Sequence, residues 1–242
     1  FLFPCQNLTF KELQFSSLYT FILTEIGLGD SSYDEIQALQ SKLTGGINGS
    51  FKLHTIDPNS KGNLLLSISS KCLEENFGDM EKLIFNTLKN ARFDEESRIL
   101  DLFNIFIARN EESLNQNGHI LAMNSAASSL NTLSASSFNI SGLEMLHQSK
   151  AIISKIKNVT DAKELIEILK TIHSKIKFDP VKIFTALSPG ALKDKLKEYK
   201  EIKYQPQQDL IHPVDEEIAW VTGSQVCYCA EAFQSVSREH PD

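Results

Sequence analysis

Hydrolysis of a peptide bond by zinc-bound water needs two histidines on one helix face with a carboxylate beside them, as in the patterns HExxH and HxxEH. Neither pattern occurs among the six histidines, His54, His119, His147, His173, His212 and His240. Only His212 has acids at a suggestive offset, in His212-Pro213-Val214-Asp215-Glu216. Pro213 opposes a helix there and no second histidine is near, so the stretch reads as surface rather than as a metal centre. Four cysteines, Cys5, Cys72, Cys227 and Cys229, are too few for a disulfide scaffold and show no CxxC spacing. Reduced, mostly buried thiols are expected. Cys227 and Cys229 would share one face of a strand, but no nearby histidine or third cysteine completes a metal set.

Nucleophilic catalysis finds no GxSxG elbow and no cysteine with a histidine close in sequence; a triad assembled only in space stays open. Thr44-Gly45-Gly46-Ile47-Asn48-Gly49-Ser50 is glycine-rich without the order of a phosphate loop, and reads as a hinge leading into a sheet. The acidic doublets Glu74-Glu75, Glu95-Glu96, Glu111-Glu112 and Glu216-Glu217 place neighbours about 100° apart on a helix, which suits solvated surface rather than paired carboxylates. The mixed charges of 193–203 read as an exposed helix. With 24 Lys and Arg against 31 Asp and Glu, the net charge of −7 excludes a generally basic nucleic-acid binder. No stretch approaches the roughly 18 apolar residues of a membrane span. The chain begins Phe1-Leu2-Phe3-Pro4 without a visible targeting peptide, and is expected to be a piece of something longer and soluble, from the cytoplasm or an organelle matrix.

The elements that must carry these residues follow from periodicity. Leu8, Leu13, Leu18, Phe21, Ile22 and Ile26 predict a helix with one buried face over 8–26. Asp30-Ser31-Ser32 offers caps for a second helix through Tyr33, Ile36, Leu39 and Leu43, stopped by Thr44-Gly45-Gly46. Alternation over 47–56 and 64–72, around the turn cluster 57–63, predicts an antiparallel hairpin. Helices are expected over 77–88 and from 94 to about 115 with Asp94 as cap. Gly118 should interrupt or kink the chain ahead of an Ala- and Ser-rich helix over 119–130. Further helices are expected over 142–156, over 160–176 with Thr160 as cap, and over 191–199, with a strand over 181–187. Residues 200–213 are polar and read as linker, and 218–221 and 225–230 as strands of a new unit. The order is α+β, helices on an antiparallel sheet.

Particular residues also carry a resemblance. The run Tyr19-Thr20-Phe21-Ile22-Leu23-Thr24-Glu25-Ile26-Gly27-Leu28-Gly29-Asp30-Ser31-Ser32-Tyr33-Asp34-Glu35, with Lys42-Leu43-Thr44-Gly45-Gly46-Ile47, resembles the C-terminal half of the pitrilysin-type (insulinase-family) zinc metallopeptidases, and the presequence-protease subfamily in particular. Leu66-Ser67-Ile68-Ser69-Ser70-Lys71-Cys72-Leu73, then 86–93 and Gly118-His119, continue it in order over about 1–187.

The resemblance implies a non-catalytic copy of the LuxS/MPP-like metallohydrolase fold, with helices on one face of an antiparallel sheet. It implies a third domain over 1–199, a linker over 200–216, and over 217–242 the first strands of a truncated fourth. In such proteases two halves close like a clamshell around a chamber for short unstructured peptides, and zinc sits in the first domain. The segment is then expected to hold no catalytic, cofactor-binding or metal residue and to work with the N-terminal zinc-bearing half, with no nucleic-acid or membrane partner. The family's substrate-binding Arg and Tyr would fall beyond Asp242. What carries over is structural: Thr44-Gly45-Gly46 before a strand, and Gly118-His119 near a domain contact. A stand-alone inactive subunit of the same family and an unrelated binding domain are the alternative readings.

Overall fold

In the computed structural model, which describes residues 1–55, 61–154, 162–180, 183, 206–213 and 226–233, Thr9 and Ser32 each start a helix by the same device. The Thr9 hydroxyl accepts from the Glu12 N–H while the Glu12 carboxylate accepts from the Thr9 N–H at 2.7 Å, opening α1 (Phe10–Leu23). Ser32 and Glu35 repeat the exchange at the start of α2 (Tyr33–Leu43). Each box satisfies two N–H groups that a helix start otherwise leaves without partners.

Two strands then form the expected hairpin, β2 (Ile47–His54) and β3 (Asn63–Ser70), in the register Ile47↔Ser70 through His54↔Asn63. A short strand, β1 (Leu2–Pro4), pairs antiparallel on the other side of β3 with Phe3 opposite Leu66, giving the sheet order β1-β3-β2. Period-two alternation turns Phe3, Leu64, Leu66 and Ile68 inward, all at most 1% exposed, and leaves Asn48, Lys52, His54 and Ser69 exposed on the opposite face. The sheet is closed at its inner face by α1, which crosses β2 at Gly49: a methyl added there would come within 3.2 Å of Thr20 Cβ.

Five helices complete the order: α3 (Phe77–Lys89), α4 (Glu96–Ala127), α5 (Thr132–Ser141), α6 (Leu143–Ile153) and α7 (Lys163–Ser174). With one antiparallel sheet and these helices the described chain is α+β. α1 lies between β2 on one side and α4, α5, α6 and α7 on the others. Ten of its fourteen residues are buried, so the expected single apolar face is replaced by burial nearly all round. The polar residues this traps are satisfied locally: the hydroxyls of Ser16 and Thr20 donate to the carbonyls of Leu13 and Ser17.

The structure differs from the sequence reading at four further places. α4 is continuous through Gly118, and the break is a kink at Asn117, whose φ of −117° and ψ of 18° are not helical. Asp94 does not cap α4: its carboxylate takes the Arg92 guanidinium at 3.2 Å, a charge-assisted partner that a lone cap N–H does not match. The helix α5 and the strand β1 were not expected. The turn residues 57–60, Thr160, the strand over 181–187, the helix over 191–199 and the strand over 218–221 lie outside the described residues, apart from the single residue at 183.

Gly46 has the conformation expected of a hinge before a strand, with φ at +100°. Its N–H is held by the Thr44 hydroxyl at 3.0 Å and its carbonyl by the Ser70 hydroxyl at 2.8 Å, so the geometry is fixed from both sides. An added side chain would meet no atom within 4 Å, which makes backbone strain the whole cost. Gly46→Val should therefore destabilise by about 1–3 kcal/mol, read as a lower denaturation midpoint at constant m-value; an unchanged midpoint would contradict that conformation.

Candidate functional site

The residues singled out for chemistry are scattered. His54, His119, His147 and His212 are exposed on different elements, and His240 lies outside the described residues. Among the described residues no group of three or more His, Cys, Asp or Glu is arranged to hold a metal ion. Glu74 and Glu75 sit in an exposed 3-10 turn; Glu95 turns away from Glu96 to accept the Gly27 N–H at 2.8 Å; Glu111 pairs with Lys150. Glu216-Glu217 and 193–203 lie outside the described residues.

His173 is the exception, because α7 carries it, half-buried, against the core residue Tyr19. Its Nδ1 shares a 2.9 Å hydrogen bond with the Tyr19 hydroxyl, and Phe93 and Phe178 stand 5.2 and 5.3 Å from its ring. Burial pushes the Tyr19 phenol well up, with Cys5 adding to it, and pushes the His173 imidazole down. Both groups are held neutral. A phenol bonded to an imidazole resembles a proton relay, but Tyr19 is fully buried and stacks on Phe93, so the pair is an internal hydrogen bond rather than a reactive one.

A second polar cluster ties the ends of the domain together. Glu12 Oε2 receives Lys175 Nζ at 2.6 Å as well as the Thr9 N–H. Burial alone would raise the Glu12 carboxyl, and these hydrogen bonds outweigh it and hold the group below its usual range. Nearby, burial drives the Cys5 thiol up to about 12 despite Lys175, which removes the thiolate that reactivity needs. Of the other thiols Cys72 is half-buried, and Cys227 and Cys229 are exposed, against the expectation that most would be buried.

Distant chain also meets α4 beside its kink at Asn117. Residues 226–233 form no strand among the described residues and are largely exposed; the Tyr228 ring, itself 37% exposed, rests on Gly118, so close that any Cβ at 118 would overlap it. The His119 and Tyr228 ring centroids are 6.3 Å apart. A missing side chain at 118 and a local break in the helix make the notch, and an aromatic ring fills it. Gly118-His119 thus sits at a contact between this domain and chain over a hundred residues later. Gly118→Val should displace the Tyr228 ring, read as loss of the nuclear Overhauser contact between the Tyr228 and His119 rings while the amides of the core helices keep their protection; a retained contact would mean that Gly118 does not seat the ring.

Comparison with known proteins places this arrangement. The chain belongs to the peptidase M-16C associated family, whose model matches residues 1–152. It is similar to the mitochondrial presequence protease of Drosophila melanogaster, 26% identical over 255 residues, which takes in 100% of this chain and 24% of that protein. It is similar also to the mitochondrial presequence protease of Danio rerio, 28% identical over 176 residues, 71% of this chain and 16% of that protein. The chain spans about a quarter or less of the length of these relatives. It is a peptidase-associated segment of the presequence-protease-like type, as the resemblance in its sequence implies.

Proposed function

We propose that this chain is a non-catalytic segment from the C-terminal half of a presequence-protease-like zinc metalloendopeptidase, forming part of the wall of a closed chamber that degrades short unstructured peptides. The observation that carries the reading is the family match over 1–152 together with relatives called mitochondrial presequence proteases, each far longer than this chain. The fold proposed for 1–199 is a LuxS/MPP-like copy without ligands, followed by a linker over 200–216 and the start of a fourth domain over 217–242. Zinc and the catalytic water belong to an N-terminal half, the segment's main partner. The names of the relatives favour mitochondria, and no described helix is long and apolar enough to cross a membrane.

The division of labour rests on what hydrolysis requires. Zinc needs three protein ligands and a base close to its water. The described histidines lie on separate elements, while Tyr19, His173, Cys5 and Glu12 are committed to the core. Such a segment contributes shape and enclosure, not bond chemistry. Its isolated form should carry well under one zinc per chain by elemental analysis, and about one tightly held zinc would overturn that assignment. In the full-length protein, a photoreactive peptide substrate should crosslink within 1–152; crosslinks confined to other regions would overturn the chamber-wall role.

A further inference from the structure

Residues 206–213 read as linker from their prolines and glutamines, yet they are fastened at three places at once, to 7–8, to 61–62 and to Ser136 of α5. Gln208 is 1% exposed. Its side-chain Oε1 accepts from the Leu8 N–H at 2.9 Å, and its Nε2 donates to the Leu8 carbonyl at 3.0 Å and to the Asp209 carbonyl at 2.9 Å. The amide thus reproduces what a neighbouring strand would offer Leu8. Its backbone meanwhile exchanges two hydrogen bonds with Gly62, at 2.8 and 2.9 Å. Asp209 follows with its N–H on Asn7 Oδ1 at 3.1 Å, its carboxylate receiving Asn7 Nδ2 at 2.9 Å, and Lys61 at 3.0 Å. Leu210 lies against Gly62, where a methyl would come within 2.9 Å of its Cδ2. The Ile211 N–H ends the run on the Ser136 hydroxyl of α5 at 2.8 Å, and Ser136 is fully buried.

We propose that Asn7, Leu8, Gly62 and Ser136 form a peptide-recognition groove specific for an extended segment carrying Gln-Asp, and that its occupant is this chain's own segment 206–213. The specificity is chemical. The side chain must donate and accept on the same residue, because Leu8 presents both an N–H and a C=O that are buried and otherwise without a partner in a sheet. Glutamate would set a carboxylate oxygen against the Leu8 carbonyl, and asparagine is one methylene short. The acid after it matches Asn7 and Lys61. Tethering raises the effective concentration of the segment to the millimolar range, so modest contacts keep the groove filled in cis.

Hydrogen exchange on the full 242-residue chain tests this, since the Leu8 and Gly62 N–H groups bond directly to the segment. In Gln208→Ala these two amides should exchange at least tenfold faster, with Leu18 and Ile22 in α1 unchanged. Adding the peptide Pro-Gln-Gln-Asp-Leu-Ile-His-Pro at about 1 mM should restore most of their protection, and the same peptide with Glu at the second Gln should not. Asn7→Ala, which leaves Gln208 in place, should speed exchange at Asp209 without emptying Leu8. Unchanged exchange in Gln208→Ala, a general loss of protection through α1, restoration by both peptides or restoration by neither would each overturn the proposal.

Discussion

Replacing Phe103 by Ala should lower the unfolding free energy by about 3–5 kcal/mol, the cost of deleting a large aromatic from a site that cannot collapse. Phe103 is 0% exposed, and it lies on α4 in a row with Ile99, Leu102, Phe106 and Ile107, all buried. That face is the one α4 turns toward α1, α5, α6 and α7, and α1 in turn closes the sheet. A cavity there loosens both layers. Since the whole domain is held by only about 5–15 kcal/mol, the variant should melt far below the parent or fail to fold. Phe103→Leu, which keeps most of the volume, should lose about 1–2 kcal/mol and remain measurable by urea unfolding. A loss in Phe103→Ala under about 1 kcal/mol would contradict the central position given to this residue.

Acidification should destabilise the protein through His173, at up to about 1.4 kcal/mol per pH unit. Its folded pKa is lowered by burial, with the Tyr19 hydroxyl on Nδ1 and Phe93 and Phe178 around the ring. Above about pH 6.5 neither folded nor unfolded chain is protonated there, and the full stability is present. Below it the unfolded chain takes up the proton while the native one does not, so stability falls as pH falls from 6.5 toward the lowered folded value. Glu12 acts in a lower window: its folded pKa is also lowered, so its contribution is present above its unfolded value of 4.5 and is lost as pH falls through the folded one. His173→Phe removes only the first effect. It leaves the Tyr19 hydroxyl without its partner, a constant offset at every pH, and should flatten the stability curve as pH falls below about 6.5. Parallel curves for the two proteins over that range would contradict the buried, neutral state of His173.

Much of the fold was legible where local chemistry decides it. Ser32 followed by Glu35, with Thr44-Gly45-Gly46 behind, bounds α2 because caps and glycine act within one turn. Leu64, Leu66 and Ile68 give β3 its inward face by alternation alone. What was missed depends on partners far away. β1 is three residues long and is a strand because β3 is beside it. α5 is a Ser- and Thr-rich stretch with no clear apolar period, started by the Asn131 side chain and held by packing on α1 and α6. The burial of α1 on nearly all sides cannot be read from its own residues, since Ser16 and Thr20 look solvent-facing until their hydroxyls turn back to the helix carbonyls.

The candidate contact site was partly legible. Gly118 announced an irregularity in α4 and came with His119 in the family resemblance, while the ring that fills the notch belongs to Tyr228, which no short-range pattern links to it. Gln208 shows the same limit more sharply. Its composition says solvent, and only the placement of Leu8 beside it makes its amide a buried substitute for a strand.

The most direct test of the central claim, that this chain is a non-catalytic part of a zinc peptidase, is cleavage of a fluorogenic unstructured peptide by the isolated chain, run beside the full-length protein with and without a metal chelator. The full-length protein should cleave, and chelator should stop it. The isolated chain should give no chelator-sensitive signal above buffer at any concentration at which it stays folded. Chelator-sensitive cleavage by the isolated chain at a rate comparable to the full-length protein would contradict the claim and would require a metal site within residues 1–242.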